Sequence, residues 1–143
     1  MIHAQGTKLI ALEPAATTAA STTTLQIDRL GYDYVEIDVT LGSVSNASNV
    51  PTAIFLSESD DTNASNFATI TGSSQTANIT ALPTTGVTIA TWDVTCVSAR
   101  KRYLKVNVSP QANQVLGGIA ILSRAEALPV TTTDRNIAAW VVL

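Results

Sequence analysis

The chain is poorly supplied with the side chains that catalysts use. His3 is its one histidine and Cys96 its one cysteine. A Ser/His/Asp or Cys/His arrangement would have to rest on His3, close to the terminus, and is not expected. Glu36 and Asp38 share one face of an alternating run, where paired carboxylates do general acid–base work. Acids alternating along an outward strand face more commonly serve solvation. Gly-rich phosphate loops, HExxH and CxxC patterns are absent. These residues point away from an enzyme, and they require no cofactor.

Two charge clusters remain. Glu58, Asp60 and Asp61, with Asn63 and Asn66, form the densest set of oxygen ligands. Calcium takes six to eight such oxygens, but the spacing matches no known calcium loop, and an acidic turn is the expectation. Arg100, Lys101, Arg102 and Lys105 are half of the eight cations. Lined up on phosphates they would bind nucleic acid, yet the pI of about 4.9 argues against that task. The choice lies between an edge strand protected by charge and ion pairs with an acidic partner surface. The second is favoured, because the chain's own acids gather elsewhere, at Glu58 to Asp61.

The elements that must hold these groups are strands. The 143 residues are 45% hydrophobic and 13% charged, with net charge −3, against about 25% charged in an average soluble domain. Twenty-one Thr, 20 Ala and 12 Ser stand against two Trp, three Tyr and two Phe. Hydroxyls rather than ions therefore solvate much of the surface. With mean hydropathy +0.23 the chain is too apolar for disorder. One domain that packs against neighbours is expected. No stretch approaches the roughly 18–20 apolar residues of a membrane span. Met1–Ser21 carries Lys8 as its sole cation, followed by Glu13 and Pro14, unlike a secretory signal. With one cysteine, folding in a reducing cytosol is expected, and the sequons at Asn46, Asn63 and Asn78 carry no message.

Alternation of period two dominates. Along Asp33–Leu41, Val35, Ile37, Val39 and Leu41 face inward. Along Arg102–Ser109, Leu104, Val106 and Val108 do the same. Between Val87 and Val97, Ala90, Trp92, Val94 and Cys96 share a core-like face, which makes Cys96 a buried free thiol. Gln114–Leu122 is apolar on both faces and reads as a central strand, with a bulge or close backbone approach at Gly117-Gly118. Shorter strands are expected at Lys8–Leu12, Thr23–Asp28, Ala53–Ser57 and Gln75–Ala81, and a short helix at Asn63–Ile70. About eight strands with several long connections suit an all-β, antiparallel, jelly-roll-like sandwich. Residues 1–24 would give an N-terminal strand and an Ala/Thr-rich arm (Ala15–Thr24), 25–128 the sandwich body, and 129–143 a tail or last strand. That tail ends on an apolar run with Ile137, Trp140 and Val141, which must either join its own sheet or dock on a neighbouring subunit.

Four stretches carry a resemblance: YDYVEIDVTLG at Tyr32–Gly42, NVPTAIFLSESDD at Asn49–Asp61, RKRYLKVNVSP at Arg100–Pro110 and GGIAILSRAEALP at Gly117–Pro129. Together they resemble a family of small virion structural proteins of tailed bacteriophages that decorate or cement the head. The resemblance covers roughly residues 23 to 129 and carries no catalytic residue. It implies a jelly-roll sandwich on the capsid exterior, often trimeric, made in the bacterial host cytoplasm and bound across major capsid protein subunits. No nucleic acid or membrane is expected as partner. Arg100, Lys101, Arg102, Lys105, Glu58, Asp60, Asp61, Ile137, Trp140 and Val141 are the candidate partner contacts. The alternatives are a tail or head-completion component, or a glycan-binding sandwich, for which seven aromatic residues are a thin supply.

Overall fold

A computed structural model describes residues 6–17, 19, 21–96 and 100–125. Eight strands form among them: β1 (Lys8–Thr17), β2 (Thr23–Asp28), β3 (Tyr32–Gly42), β4 (Ala53–Ser59), β5 (Ala68–Thr69), β6 (Val87–Thr95), β7 (Tyr103–Ser109) and β8 (Gln114–Ala125). They build two four-stranded sheets, ordered β1-β8-β3-β6 and β2-β7-β4-β5, with every pairing antiparallel. The chain changes sheet at every connection except the one between β4 and β5. The fold is all-β, two antiparallel sheets stacked as a sandwich.

Alternation explains why these strands form and how they stack. Val35, Ile37, Val39 and Leu41 of β3 are fully buried, as are Leu116, Ala120 and Leu122 of β8, Leu104 of β7 and Ile54 of β4. A strand with a period of two presents one such row to the opposite sheet. β8 lies between β1 and β3 as a central strand, as expected. Trp92 and Cys96 are buried, and Cys96 is a free thiol.

Turn chemistry sets the β2–β3 corner. The Asp28 carboxylate accepts from Leu30 N at 3.1 Å, and Tyr32 N donates to Arg29 O at 2.9 Å. Gly31 supplies the positive φ (81°) that the third position of such a turn demands.

Three expectations need correction, and one alternative is settled. Ala15–Thr17 is not loop: these residues continue β1 against Leu116, Val115 and Gln114, after a register shift between Leu12 and Ala15. The register of Gly117 and Gly118 against β3 is unbroken, so the irregularity lies in β1, and the pair marks a close approach, Gly118 to the Asp38 carbonyl. Gln75–Ala81 is no strand, because its own polar groups close a turn: Asn78 N donates to Gln75 O at 3.0 Å and Asn78 Nδ2 to Gln75 Oε1 at 2.6 Å. The short helix shrinks to a 3-10 turn at Ala64–Asn66, and Ala68 and Thr69 pair instead with Glu58 and Ser57. The tail residues Ile137, Trp140 and Val141 lie outside the described residues.

Residues 70–86 form a strap from the edge of one sheet to the edge of the other. Along it, hydroxyls stand in for a strand. Ser73 Oγ accepts from Leu56 N at 3.0 Å and donates to Leu56 O at 3.1 Å, and Thr76 Oγ1 accepts from Ile54 N at 3.0 Å. Trp92 Nε1 donates to Ser73 O at 2.7 Å, which pins the strap to β6.

Two substitutions test this packing. A Cβ on Gly42 would meet the Val115 carbonyl oxygen at 2.6 Å, a backbone atom that cannot swing away. Gly42→Ala is expected to cost about 1–3 kcal/mol by overpacking. Gln114 is 5% exposed and, among the described residues, neither of its amide atoms has a hydrogen-bond partner, a burial that costs about 1–3 kcal/mol. Gln114→Met is therefore expected to raise the denaturation midpoint. Chemical denaturation of both variants reads these opposite signs.

Candidate functional site

The two charge clusters meet. β4 and β7 run side by side with Ser59 opposite Tyr103, so the turn after β4 faces the residues that lead into β7. Arg100 Nη1 lies 3.5 Å from Glu58 Oε1, Lys101 N donates to Glu58 Oε2 at 3.1 Å, and Lys101 Nζ reaches Asp60 Oδ2 at 2.8 Å. On the other flank of β7, Arg102 grips Asp28 at the end of β2 with two hydrogen bonds, at 3.0 and 2.7 Å. The expectation that the basic residues seek an outside acidic surface rested on the chain's acids lying elsewhere. Antiparallel pairing brings those acids to within ion-pair distance, and that reason falls.

Each group in the seam is held from several sides. Arg29, absent from the candidate set, donates Nε to Lys101 O at 2.8 Å and Nη2 to Arg100 O, and its own N–H bonds Arg102 O at 3.2 Å. It clamps the backbone from which the three cations project. Asp61 turns inward on its own loop: Asn63 N and Asn66 Nδ2 each donate to it at 2.8 Å. Lys105 stands apart from the acids, with its ammonium 3.5 Å from the centre of the Phe67 ring. Glu58 and Asp60 thus form one seam with Arg100 and Lys101; Asp61 braces the same turn, Arg102 pairs with Asp28 on the far flank, and Lys105 caps an aromatic.

Electrostatics follow from these contacts. The hydrogen bonds from Arg102 hold the Asp28 carboxyl below its ordinary range, against a smaller opposing effect of burial. Asn66 and the Asn63 N–H do the same for Asp61. Asp60 pushes the Lys101 ammonium up, and burial pushes the Cys96 thiol up. A raised thiol is less often the reactive thiolate.

A second group of acids sits on the outer face of the β1-β8-β3-β6 sheet. Glu36 lies directly across from Asp93, and Asp38 across from Thr91. Thr91 Oγ1 donates to Asp38 at 2.6 Å and Tyr34 OH to Asp93 at 2.6 Å. That bond raises the Tyr34 hydroxyl above its usual pKa. Along these rows, from Tyr34 to Gly42, the outward positions carry no cation. The expected placement of Glu36 and Asp38 on one face is met. Among the described residues, no three His, Cys, Asp or Glu side chains are grouped to hold a metal ion. No helix of the described residues is long and apolar enough to cross a membrane.

Two clefts flank the strap. One, of about 300 Å³, is lined by Leu56, Ile70, Ser73, Trp92 and Arg100 among others. The other, of about 400 Å³, lies between Gln75–Ala81 and Thr88–Thr91. Trp92 is buried with its indole N–H engaged, so it offers no open aromatic platform. No protein-family model, curated protein or solved structure matches the chain.

What the sequence did not reveal is Asp28, Arg29 and Phe67. Asp28 and Arg29 sit at a strand end before Leu30-Gly31, a turn signal that could have been read. Their link to Arg102 depends on the β2–β7 register, which no local pattern encodes. The Asp28 pair supplies a test. A depressed carboxylate stabilises the fold fully above its unfolded pKa, near 3.8, and loses that contribution as pH falls through the lower folded value. Asp28→Asn is expected to lower stability at pH 7 by less than about 1 kcal/mol, since the pair is solvent-screened. Thermal melts from pH 7 to pH 2 check this: the two proteins converge as the medium turns more acidic than the carboxylate range.

Proposed function

We propose that the chain is a non-enzymatic virion structural protein that decorates and cements a bacteriophage capsid by binding across major capsid subunits. The observation that carries this reading is how the four resembling stretches meet. Tyr32–Gly42 supplies β3, Asn49–Asp61 supplies β4 with its acidic turn, Arg100–Pro110 supplies β7 with its basic lead, and the described part of Gly117–Pro129 lies in β8. The second and third are joined by the Arg100–Glu58 and Lys101–Asp60 pairs. A resemblance scattered along the chain therefore falls on one packed unit, and it consists of strands and turns rather than reacting groups.

The finer fold reading is a jelly roll. The order β1-β8-β3-β6 opposite β2-β7-β4-β5 supports it, because strands that alternate between two sheets in this way are what two interleaved Greek keys produce. Exposed Val87, Ile89 and Val115, on a sheet face that also carries Glu36, Asp38 and Asp93 but no cation along the β3–β6 rows, suit a protein that packs on neighbours. The partners under this reading are the major capsid protein and further copies of the chain, as a trimer on the capsid exterior, from protein made in the bacterial cytoplasm.

The mechanism is mass action. A ligand that binds the expanded shell in preference to the open or disrupted state stabilises it by RT ln(1 + [L]/Kd) per site, about 2.7 kcal/mol at 100 times Kd. Adding the purified chain to expanded shells stripped of it is expected to raise their disruption temperature saturably, read by light scattering during heating. An unchanged disruption temperature, or binding to a glycan array instead of to shells, contradicts the proposal.

A further inference from the structure

Among the described residues, no strand pairs with the outer edge of β6. Backbone bonding in an antiparallel strand alternates from one side to the other. Cys96 N, just past β6, donates to Asp33 O of β3 at 2.7 Å, while Thr91 O points away from β3 and accepts from Gln75 Nε2 at 3.4 Å. The odd-numbered residues Val87, Ile89, Thr91, Asp93 and Thr95 therefore turn their N–H and C=O groups away from the sheet. Among the described residues, the Thr91 carbonyl is the one such group with a protein partner.

Edges of this kind are normally blunted by brevity, proline, bulges, charge or a covering loop, and the strap meets the outer edge of β6 through one bond, from Gln75 to Thr91 O. β1, the other edge of the same sheet, carries Pro14 and a register shift between Leu12 and Ala15. β5, the neighbouring edge of the second sheet, is two residues long. β6 runs for nine residues in unbroken register with β3, with no proline, no bulge and Asp93 as its sole charge. On its outward face Val87 is 63% exposed and Ile89 59%.

We infer that this edge pairs with the β6 edge of a second copy of the chain, antiparallel about a two-fold axis at Ile89. The register is chosen by charge and apolar fit. Centred there, Ile89 meets Ile89 of the second copy, and Val87 meets the second copy's Thr91, with both edge-facing residues of each pair exchanging bonds. The two Asp93 carboxylates stay at opposite ends of the paired stretch. An axis at Asp93 would set them against each other beside Glu36, a like-charge pairing that costs stability. The strap's Gln75–Ala81 stands across a cleft of about 400 Å³ from Thr88–Thr91, so pairing in this register requires the Gln75 side chain to release Thr91 O. An isologous contact closes after two copies, so it is separate from the trimer proposed above and would join one copy or one trimer to the next.

The contact is small, so association should depend on concentration. Sedimentation of the full chain from about 1 μM to about 1 mM, a range that spans weak dissociation constants, is compared with Ile89→Lys, an exposed change that sets two ammonium groups face to face. The wild type should reach twice the mass of the variant at the upper end, with the two circular dichroism spectra superimposable. Ile89→Cys adds a second reading. Bonded cross-strand pairs hold Cα atoms about 5.5 Å apart, within disulfide reach, so this variant should cross-link on mild oxidation while Thr95→Cys and the wild type, whose Cys96 is buried, should not. Equal masses for wild type and Ile89→Lys at every concentration overturn the inference, whatever other oligomer both form. So does cross-linking of Thr95→Cys as readily as of Ile89→Cys.

Discussion

Burial of two facing rows of aliphatic side chains is the constraint from which the rest of this molecule follows. β3 and β8 give one row; β4 and β7 give the other, and the twelve largest fully buried side chains are all Ile, Leu or Val. Neither sheet can hide its row alone, so the layers must stack, and stacking leaves flanks and strand ends where backbone groups lose their partners. The abundant hydroxyls act there. Thr17 Oγ1 donates to Gln114 O at 3.1 Å, Thr52 Oγ1 to Ser109 O at 3.1 Å, and Ser73 serves both backbone groups of Leu56. A composition rich in Thr and Ser thus reflects a sandwich whose ladders are finished by side chains as well as water.

The same stacking decides where charge can go. Inward positions are closed to ions, and the cations at Arg100, Lys101 and Arg102 find acids that the β2–β7 and β4–β7 registers deliver. Arg29 fixes the backbone between them. Fold-internal pairing of this kind occupies the basic residues that lead into β7, while Glu36, Asp38 and Asp93 stay on an outer face; under the proposed function, recognition falls to that face and to strand edges. That is consistent with the proposed life on a shell surface, where large contacts between copies and capsid subunits are made once and kept.

Much of the fold was legible in the sequence because period-two alternation is a local signal. Asp33–Leu41, Thr23–Asp28 and Arg102–Ser109 fall on β3, β2 and β7 within a residue or two, and Trp92 and Cys96 take the expected inward face. The misses share a cause. Gln75–Ala81 alternates weakly, and its Gln and Asn amides can bond to each other as readily as to a sheet, so the tertiary setting decides. Ala68–Thr69 is too short to leave a pattern; only the free edge of β4 makes it a strand. The seam was half legible. Both charge clusters stood out by composition, whereas their meeting is set by a register between segments some forty residues apart, and nothing in either segment names its partner.

The proposed cement role is tested most directly by copy number in virus particles. Quantitative mass spectrometry of purified particles, referenced to the major capsid protein, gives that number. A cement protein should be present at a copy number comparable with that of the capsid subunits it bridges. A few copies per particle would place the chain at a vertex or in the tail and contradict the central claim.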